Sequence, residues 1–393
     1  AARHDGRGGV TLPSPMPHWT LTTLTLIGLA ALVVAVFAGW AHLRFWTRRL
    51  TLSLEYTSSA QLTTPDGATI ELRRVPIPSA APKVDLPPVL LVHGLGANHR
   101  NQDLHPDFSL ARYLAARGRD VWLLTLRSGL RPRRWAERQR VRFGAMVEND
   151  LPVAVNGVLE QTGASALDYV GFSMGGMLLY AAIGRSVPEA QIRRAVIVGS
   201  PGRVGVARWM RPLLRLVPRA LVPTMRFRLA SAGIAFASEW LKTPFHSFTI
   251  NPGNVAKGIT RAAMINLIED IPGPLYADFI EWAAADGEIR TTRGAALAGL
   301  VGVGVPALFM AGTADKLAPI PSVRRAFDAW GKDLPETSKR FVSVGRAFGH
   351  AQDYGHGDLA IGTQVAADLF APIASFLEED LAAVADAAGT GTG

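Results

Sequence analysis

The sequence predicts an α/β protein whose mostly parallel sheet is covered by helices on both faces. Three observations lead to this prediction. Short apolar runs alternate with helical patterns, roughly a hundred residues without such runs interrupt the alternation, and one apolar segment of 20 residues lies near the N-terminus. The chain has 393 residues, 48% of them hydrophobic, which is enough for one large core and an insertion.

The apolar segment is Leu21–Trp40, which contains no charged residue and no proline. A helix rises about 1.5 Å per residue, so 20 residues cover the ~30 Å hydrocarbon core of a bilayer. A cleaved signal peptide usually has an apolar region of only about 7–15 residues, and a buried core helix is rarely so uniformly apolar. We therefore expect a single membrane anchor over residues 19–43, after an N-terminal tail of residues 1–18.

The residues beside the segment bear on its placement in a membrane. Tryptophans stand where interfacial aromatic residues belong, at Trp19, Trp40 and Trp46. The segment is followed by three arginines, Arg44, Arg48 and Arg49. It is preceded by two, Arg3 and Arg7, with Asp5 between them. The positive-inside rule favours a cytoplasmic location for the following domain and leaves the side of the membrane open.

Eight strands are predicted from apolar or alternating runs that turn signals separate. In chain order they are Thr51–Thr57, Thr69–Val75, Val89–Val92, Val121–Leu126, Leu167–Phe172, Arg194–Val198, Pro306–Met310 and Arg340–Val344. Pro65-Asp66-Gly67 predicts a turn between the first two. Helices are predicted at Ser109–Arg117, Asn149–Gln161, Met174–Ile183 and Thr363–Leu377.

The alternation stops between Ser200 and Val305, where only helix-like segments with prolines and glycines occur. Such an insertion, late in a sheet, is typical of a lid. The predicted organisation is a core over residues 50–200 and 305–380, a helical cap over 201–304, and a disordered, glycine-rich tail over 381–393.

The chain has no cysteine, which excludes disulfides, zinc–cysteine sites and a cysteine nucleophile. Its net charge is +9, and arginines form two clusters, seven within Arg127–Arg142 and seven within Arg203–Arg228. The second cluster contains no acid and alternates with large apolar residues, which favours contact with anionic headgroups over a merely solvated lid surface. The sequence contains no recognisable nucleic-acid-binding module and no residues at metal-ligand spacing. We therefore expect the protein to bind neither nucleic acid nor a metal ion, and to need no cofactor.

Gly171-Phe172-Ser173-Met174-Gly175 matches the pattern Gly-x-Ser-x-Gly between a predicted strand and a predicted helix. A serine on this sharp turn needs small neighbours, because the backbone is strained and crowded. The alternative is a tight turn with an incidental serine. The context favours Ser173 as a nucleophile.

A serine nucleophile needs a base and an acid that orients the base. His350 and His356 both follow the last predicted strand, and Asp315 follows the predicted strand Pro306–Met310. Either histidine could be the base. Other acidic residues are expected to be solvated or to cap helices, namely Asp328, Asp333, Asp353 and Asp358.

The oxyanion of an acyl-transfer intermediate needs two N–H donors. The amide of Met174 follows the nucleophile, and the amide of Leu95 lies in the turn His93-Gly94-Leu95-Gly96 after the first buried strand. We expect these two amides to be the donors.

With these residues, the chain resembles the α/β-hydrolase superfamily, in the lipase and esterase branch that includes acid lipases. The resemblance covers roughly residues 66–377 and rests on the strings LVHGLGAN, SLARYLAARGRDVWLLTLRSG, NDLPVAVNGVLEQTGA, VGFSMGGMLLY, AGTADKLAP and YGHGDLAIG. It implies Ser173 as nucleophile, Asp315 as acid and His356 as base, with Leu95 and Met174 as oxyanion donors. His350 becomes the alternate.

The resemblance implies a membrane-anchored serine hydrolase that cleaves apolar or lipid-like acyl esters without a cofactor. One alternative is an acyltransferase or polyester-forming enzyme with the same triad. A second is an inactive, membrane-bound binding module. Acyl-chain preference and oligomeric state have no sequence signal.

Overall fold

The computed structural model describes residues 18–130, 134–240 and 248–379. Most of the predicted N-terminal tail and the whole of the tail predicted for residues 381–393 lie outside these ranges. The described chain divides into two units, residues 1–49 and 50–393.

The first unit is formed by helix α1, His18–Leu50, which is longer than the predicted segment at both ends. Within the described residues, this is the one helix long and apolar enough to cross a membrane. The stretch Thr22–Leu50 has a window of mean hydropathy 2.3 and buries none of that window in the protein.

The second unit is built on a sheet of eight strands in the order β1-β2-β4-β3-β5-β6-β9-β10. Strands β1 and β2 run antiparallel to their neighbours, and the other neighbouring pairs are parallel. The strands of this sheet are β1 Ser58–Thr63, β2 Thr69–Arg74, β3 Val89–Val92, β4 Val121–Thr125, β5 Leu167–Phe172, β6 Ile192–Val198, β9 Ala307–Gly312 and β10 Lys339–Val344. Strands β7 and β8 lie outside this sheet and are described below. The predicted, mostly parallel sheet is confirmed.

Helices cover the sheet on both faces. In chain order, the helices of this unit are α2 Leu110–Ala116, α3 Trp135–Gln139, α4 Phe143–Ala145, α5 Leu151–Thr162, α6 Met174–Ala182, α7 Arg211–Arg215, α8 Phe227–Ile234, α9 Ile259–Asn266, α10 Gly273–Ala284, α11 Ile320–Ala329 and α12 Asp358–Ile361, and residues 371–379 are also helical. Along β3, Leu90 and Val92 pack into one apolar cluster, while Val89 and Leu91 pack into a second on the opposite face. This alternation explains why the strand is apolar throughout.

The predicted strand Thr51–Thr57 is wrong. The first strand begins at Ser58, where the predicted strand ends, and pairs in register from Ser58 with Arg74 to Thr63 with Thr69. The turn after it, at Pro65-Asp66-Gly67, is where the sequence predicts it, and the Gly67 amide donates to the Thr64 carbonyl over 2.8 Å. Pairing across the hairpin places the strand directly before the turn, although residues 51–57 have the stronger strand propensity.

Residues 201–304 lie between β6 and β9 and add no strand to the large sheet in their described part. We call them the insertion. Their described secondary structure consists of short helices and 3₁₀ turns and of a small ribbon of β7, Arg290–Thr291, and β8, Gly294–Ala295. The prediction of helix-like segments alone missed this ribbon. The carboxyl ends of the parallel strands β3, β5, β6, β9 and β10 form one edge of the sheet, where α/β proteins place their working residues.

Candidate active site

Ser173 lies between β5 and α6, at the sharp turn the sequence predicts. Its φ is 54° and its ψ is −117°. Among the described non-glycine residues, it alone has a positive φ. Such a conformation costs on the order of 1–3 kcal/mol and persists only where the surrounding structure enforces it. Here the Ser173 amide donates to the Val198 carbonyl on β6 over 2.9 Å.

The two glycines of the pattern are required by close backbone contacts. A Cβ on Gly171 would lie 2.6 Å from the Gly176 nitrogen, and a Cβ on Gly175 would lie 2.4 Å from the Val92 carbonyl oxygen. Both distances are far below van der Waals contact. Because any side chain at these positions would push β5, α6 and β3 apart, the glycines allow the strained serine.

Asp315 and His356 form a buried pair at the same edge of the sheet. Oδ2 of Asp315 lies 2.8 Å from Nδ1 of His356, and their side chains are 0% and 10% exposed. The other carboxylate oxygen, Oδ1, accepts from the amides of Leu317 and Ala318, each over 2.8 Å. The carboxylate is therefore fixed, and it holds the proton of the imidazole on Nδ1. Nε2 is left with a lone pair, as a general base requires.

Two contacts locate this pair beside the serine. The ring of His356 lies 5.2 Å, centroid to centroid, from the ring of Phe172, which precedes Ser173. Gly199, at the end of β6, faces the pair so closely that a Cβ there would lie 3.5 Å from both Asp315 Oδ2 and His356 Cε1. The structure thus gathers the predicted nucleophile, acid and base at the carboxyl ends of β5, β6 and β9.

The alternate base, His350, has different partners. Its Nδ1 lies 3.2 Å from the Gly345 amide and 3.1 Å from the Gly345 carbonyl oxygen, in the loop after β10. Asp315 pairs with His356 instead. His350 therefore stabilises its own loop.

The predicted oxyanion donors flank Ser173. Leu95 follows Gly94, where an added Cβ would lie 3.0 Å from Ser173 Cβ, and Met174 begins α6. Within the described chain, neither amide donates to a protein acceptor. The two N–H groups are thus available to an oxygen bound beside the serine.

His93 and Asn101 hold the Leu95 loop in place, a function that sequence reasoning missed. The Asn101 Oδ1 accepts from the Gly94 amide over 2.9 Å. The Leu126 amide donates to His93 Nε2 over 3.1 Å, so His93 carries its proton on Nδ1 and donates it to the Gly94 carbonyl over 2.8 Å. Burial lowers the pKa of His93 to about 4, which keeps the ring neutral. The string His93-Gly94 could have indicated this function from the sequence, whereas no sequence pattern around Asn101 indicates its function.

The sequence predicts that Asp358 is solvated or caps a helix, and the structure excludes solvation. It is fully buried, and its carboxylate accepts from the Asn251 amide over 2.9 Å, the Asn254 side chain over 2.7 Å and the Gly355 amide over 3.0 Å. Burial raises the pKa of this carboxyl, and the three donors oppose that shift. Asp358 thus supports the loop that carries His356.

Within the described residues, no group of three or more His, Asp or Glu side chains could hold a metal ion. The arrangement of serine, histidine, aspartate and two free amides can perform acyl transfer with its own side chains.

Comparison with known proteins adds a match between residues 87–221 and the family described as alpha/beta hydrolase fold. The match includes the Leu95 loop and Ser173. The chain has the α/β-hydrolase fold. Asp315 and His356 lie beyond the matched residues, so the superfamily match does not extend to the acid–base pair.

Similar sequences occur among animal lipases. The chain is 25% identical to a tear acid lipase-like protein of Mesocricetus auratus over 256 residues, which are 59% of this chain and 61% of that protein. It is 30% identical to human gastric triacylglycerol lipase over 178 residues, 41% of this chain and 43% of that one. The chain therefore spans less than two thirds of the length of either relative.

A solved structure of the lipolytic enzymes LipS and LipT, derived from a metagenome, shares the fold. Its TM-score is 0.50 at 17% identity, and the alignment covers 77% of this chain and 99% of that chain.

Proposed function

We propose that this protein is a serine ester hydrolase that cleaves apolar or lipid-like acyl esters through an acyl-enzyme on Ser173. The observation that carries the proposal is the buried Asp315–His356 pair, 2.8 Å apart, beside a serine with strained backbone. Neither feature is expected in a turn with a purely structural role, because backbone strain lowers stability and desolvating a buried, ion-pairing carboxylate costs free energy.

The reaction follows from the site geometry. Ser173 Oγ attacks the ester carbonyl while His356 Nε2 takes the hydroxyl proton, and the oxygen that becomes negative receives hydrogen bonds from the Leu95 and Met174 amides. The C–O bond to the alcohol then breaks, and the imidazolium returns the proton to the leaving alkoxide. Water repeats the sequence on the acyl-enzyme and releases the acid. Each amide donor contributes on the order of 3 kcal/mol to stabilising the transition state.

The substrate class is inferred from the lipases among the relatives and from the apolar segments of the chain. In this proposal, α1 is retained as a single anchor that keeps the domain at a membrane, where such esters concentrate. Its apolar length exceeds that of signal peptides, and the arginines after it favour a cytoplasmic domain. The insertion would cover the acyl chain as a cap.

Labelling with a fluorophosphonate probe tests the nucleophile directly. The full chain should be labelled, Ser173→Ala should not, and Ser58→Ala on β1 is the matched control that should be labelled like the wild type. A folded wild-type chain that resists the probe in detergent and in vesicles would instead support the inactive binding module.

A panel of p-nitrophenyl esters with increasing acyl length then tests the substrate class. Longer chains should give the higher kcat/KM. Adding a primary alcohol separates hydrolysis from acyl transfer, because an acyltransferase would yield mostly the new ester and little free acid.

A further inference from the structure

A second surface, within the insertion, has an unusual composition. Residues 208–221 form a 3₁₀ turn at Arg208–Met210, helix α7 and a second 3₁₀ turn at Arg219–Leu221. We call this segment the ridge. Its large apolar side chains are mostly in solvent, with exposures of 71% for Trp209, 59% for Leu213, 77% for Leu216 and 73% for Leu221. Single exposed leucines are normal, whereas a contiguous group marks a contact surface.

The ridge is held firmly against the rest of the insertion. Nε of Arg215 donates to the Ala284 carbonyl at the end of α10 over 3.0 Å. Arg219 forms ion pairs with Asp278 and Glu281 on the same helix. The inner side of the ridge is thus bonded to α10, and the apolar outer side is presented as a fixed surface.

The outer apolar residues share one helical side. Trp209, Leu213 and Leu216 are spaced by four and three residues, which brings side chains onto one face. Pro212 stands in the first turn of α7, where it costs no hydrogen bond. One 3₁₀ turn directly precedes α7 and the other follows Pro218, and the apolar face continues across the first of them.

Positive charge accompanies the ridge along the chain. Residues 203–228 contain seven arginines and no acid. Two exposed members, Arg208 and Arg226, form no ion pair with any described carboxylate. Guanidinium groups bind phosphate in bidentate fashion, and Trp is favoured at the level of lipid headgroups. An anionic bilayer supplies phosphates for the arginines and a headgroup layer for the tryptophan, and it lies close to a chain that is itself anchored.

We propose that the ridge docks on the headgroup layer of an anionic lipid bilayer. Trp209, Leu213 and Leu216 enter the boundary between headgroups and acyl chains, while Arg208 and Arg226 bind lipid phosphates. This inference rests on the proposed anchor but not on ester hydrolysis, so its test uses position rather than activity.

The absence of native cysteines allows the test to be site-specific. Leu216→Cys in the full chain is labelled with an NBD fluorophore and reconstituted into vesicles of phosphatidylcholine, with or without phosphatidylglycerol. Ile77→Cys is the matched control, because Ile77 is 42% exposed and follows β2 at the opposite end of the sheet. The Leu216 label should shift to the blue and be quenched by nitroxide lipids in phosphatidylglycerol vesicles. The Ile77 label should remain in water.

The charge requirement has its own variants. Arg208→Gln and Arg226→Gln should each lower the docked-to-undocked ratio about five-fold, whereas Lys83→Gln, in the same loop as Ile77, should not change it. A Leu216 label that stays in water in both lipids overturns the proposal, as does equal docking on both. A blue shift without quenching by nitroxide lipid would indicate a protein contact and would also overturn it. Fluorophosphonate labelling of the same samples reports separately on the proposed hydrolase.

Discussion

The side-chain amide of Asn254 donates to Oδ2 of Asp358 over 2.7 Å, a bond that joins the insertion to the loop carrying His356. Two further bonds reinforce the junction. The Asn251 amide donates to Oδ1 of Asp358 over 2.9 Å, and the Gly357 amide donates to the Thr249 carbonyl over 2.7 Å. The candidate base thus takes its position partly from the insertion, and a change in one should be felt by the other.

Asp358→Asn tests this coupling. An asparagine would direct an N–H₂ group toward donors that now share a carboxylate, so we expect the free energy of unfolding to fall by about 2–3 kcal/mol. Misplacing the base should also lower kcat by about tenfold to a hundredfold with little change in KM. Esterase kinetics and urea unfolding measure the two effects.

Asp328→Asn, on the exposed side of α11, is the control and should leave both quantities unchanged. A variant at Asp358 that unfolds more easily but retains the wild-type kcat would show that this residue only stabilises the fold.

The contrast between Ser173 and Asp358 shows what the sequence can predict. Ser173 was found because the two glycines that its turn requires, Gly171 and Gly175, lie within two residues of it and so form a local pattern, although the contact that excludes a side chain at Gly175 comes from Val92 on β3. The partners of Asp358 are about a hundred residues away, at 251 and 254, and no local pattern records them. Burial of an aspartate is a property of that distant packing, so sequence reasoning took Asp358 for a solvated or helix-capping residue.

The sheet shows the same distinction. The buried strands β3 to β6 were predicted within two residues, because their apolar runs record burial on both faces. The first strand was misplaced by its whole length, since pairing with β2 and not its own propensity sets its register.

The strained backbone of Ser173 should cost stability. Glycine adopts positive φ freely, so Ser173→Gly should be more stable than Ser173→Ala by about 1 kcal/mol, although both lack the nucleophile. Urea unfolding of the two variants measures the difference. Equal stability would mean that the turn is relaxed in solution.

The choice between the two candidate bases is open to kinetics. Asp315→Asn should lower kcat by about 10⁴-fold, because an amide donor facing Nδ1 of His356 favours the wrong tautomer. His350→Gln should keep kcat within about twofold of the wild type, since its partners are backbone atoms of its own loop. Steady-state hydrolysis of a soluble ester distinguishes them. Reversed sensitivities would assign the base to His350.

His93 should make the folded chain sensitive to acid. Burial lowers its pKa from 6.5 to about 4, so between these values the unfolded chain binds a proton that the folded chain excludes. Stability from this group is complete above the unfolded pKa and is lost as the pH falls toward the folded one. By about pH 5 the loss should be about 2 kcal/mol.

The loss is measured against His93→Gln, which cannot titrate. Urea unfolding of both proteins at about pH 7.5 and about pH 5 should give a free energy of unfolding that falls by about 2 kcal/mol more in the wild type than in the variant. Asp150 acts in the opposite direction, because burial raises its pKa to about 6, but this contribution is common to both proteins and cancels. His105→Gln in a surface loop is the matched control for loss of an imidazole. Parallel pH profiles for wild type and His93→Gln would show that the ring of His93 is hydrated and does not fix the Leu95 loop.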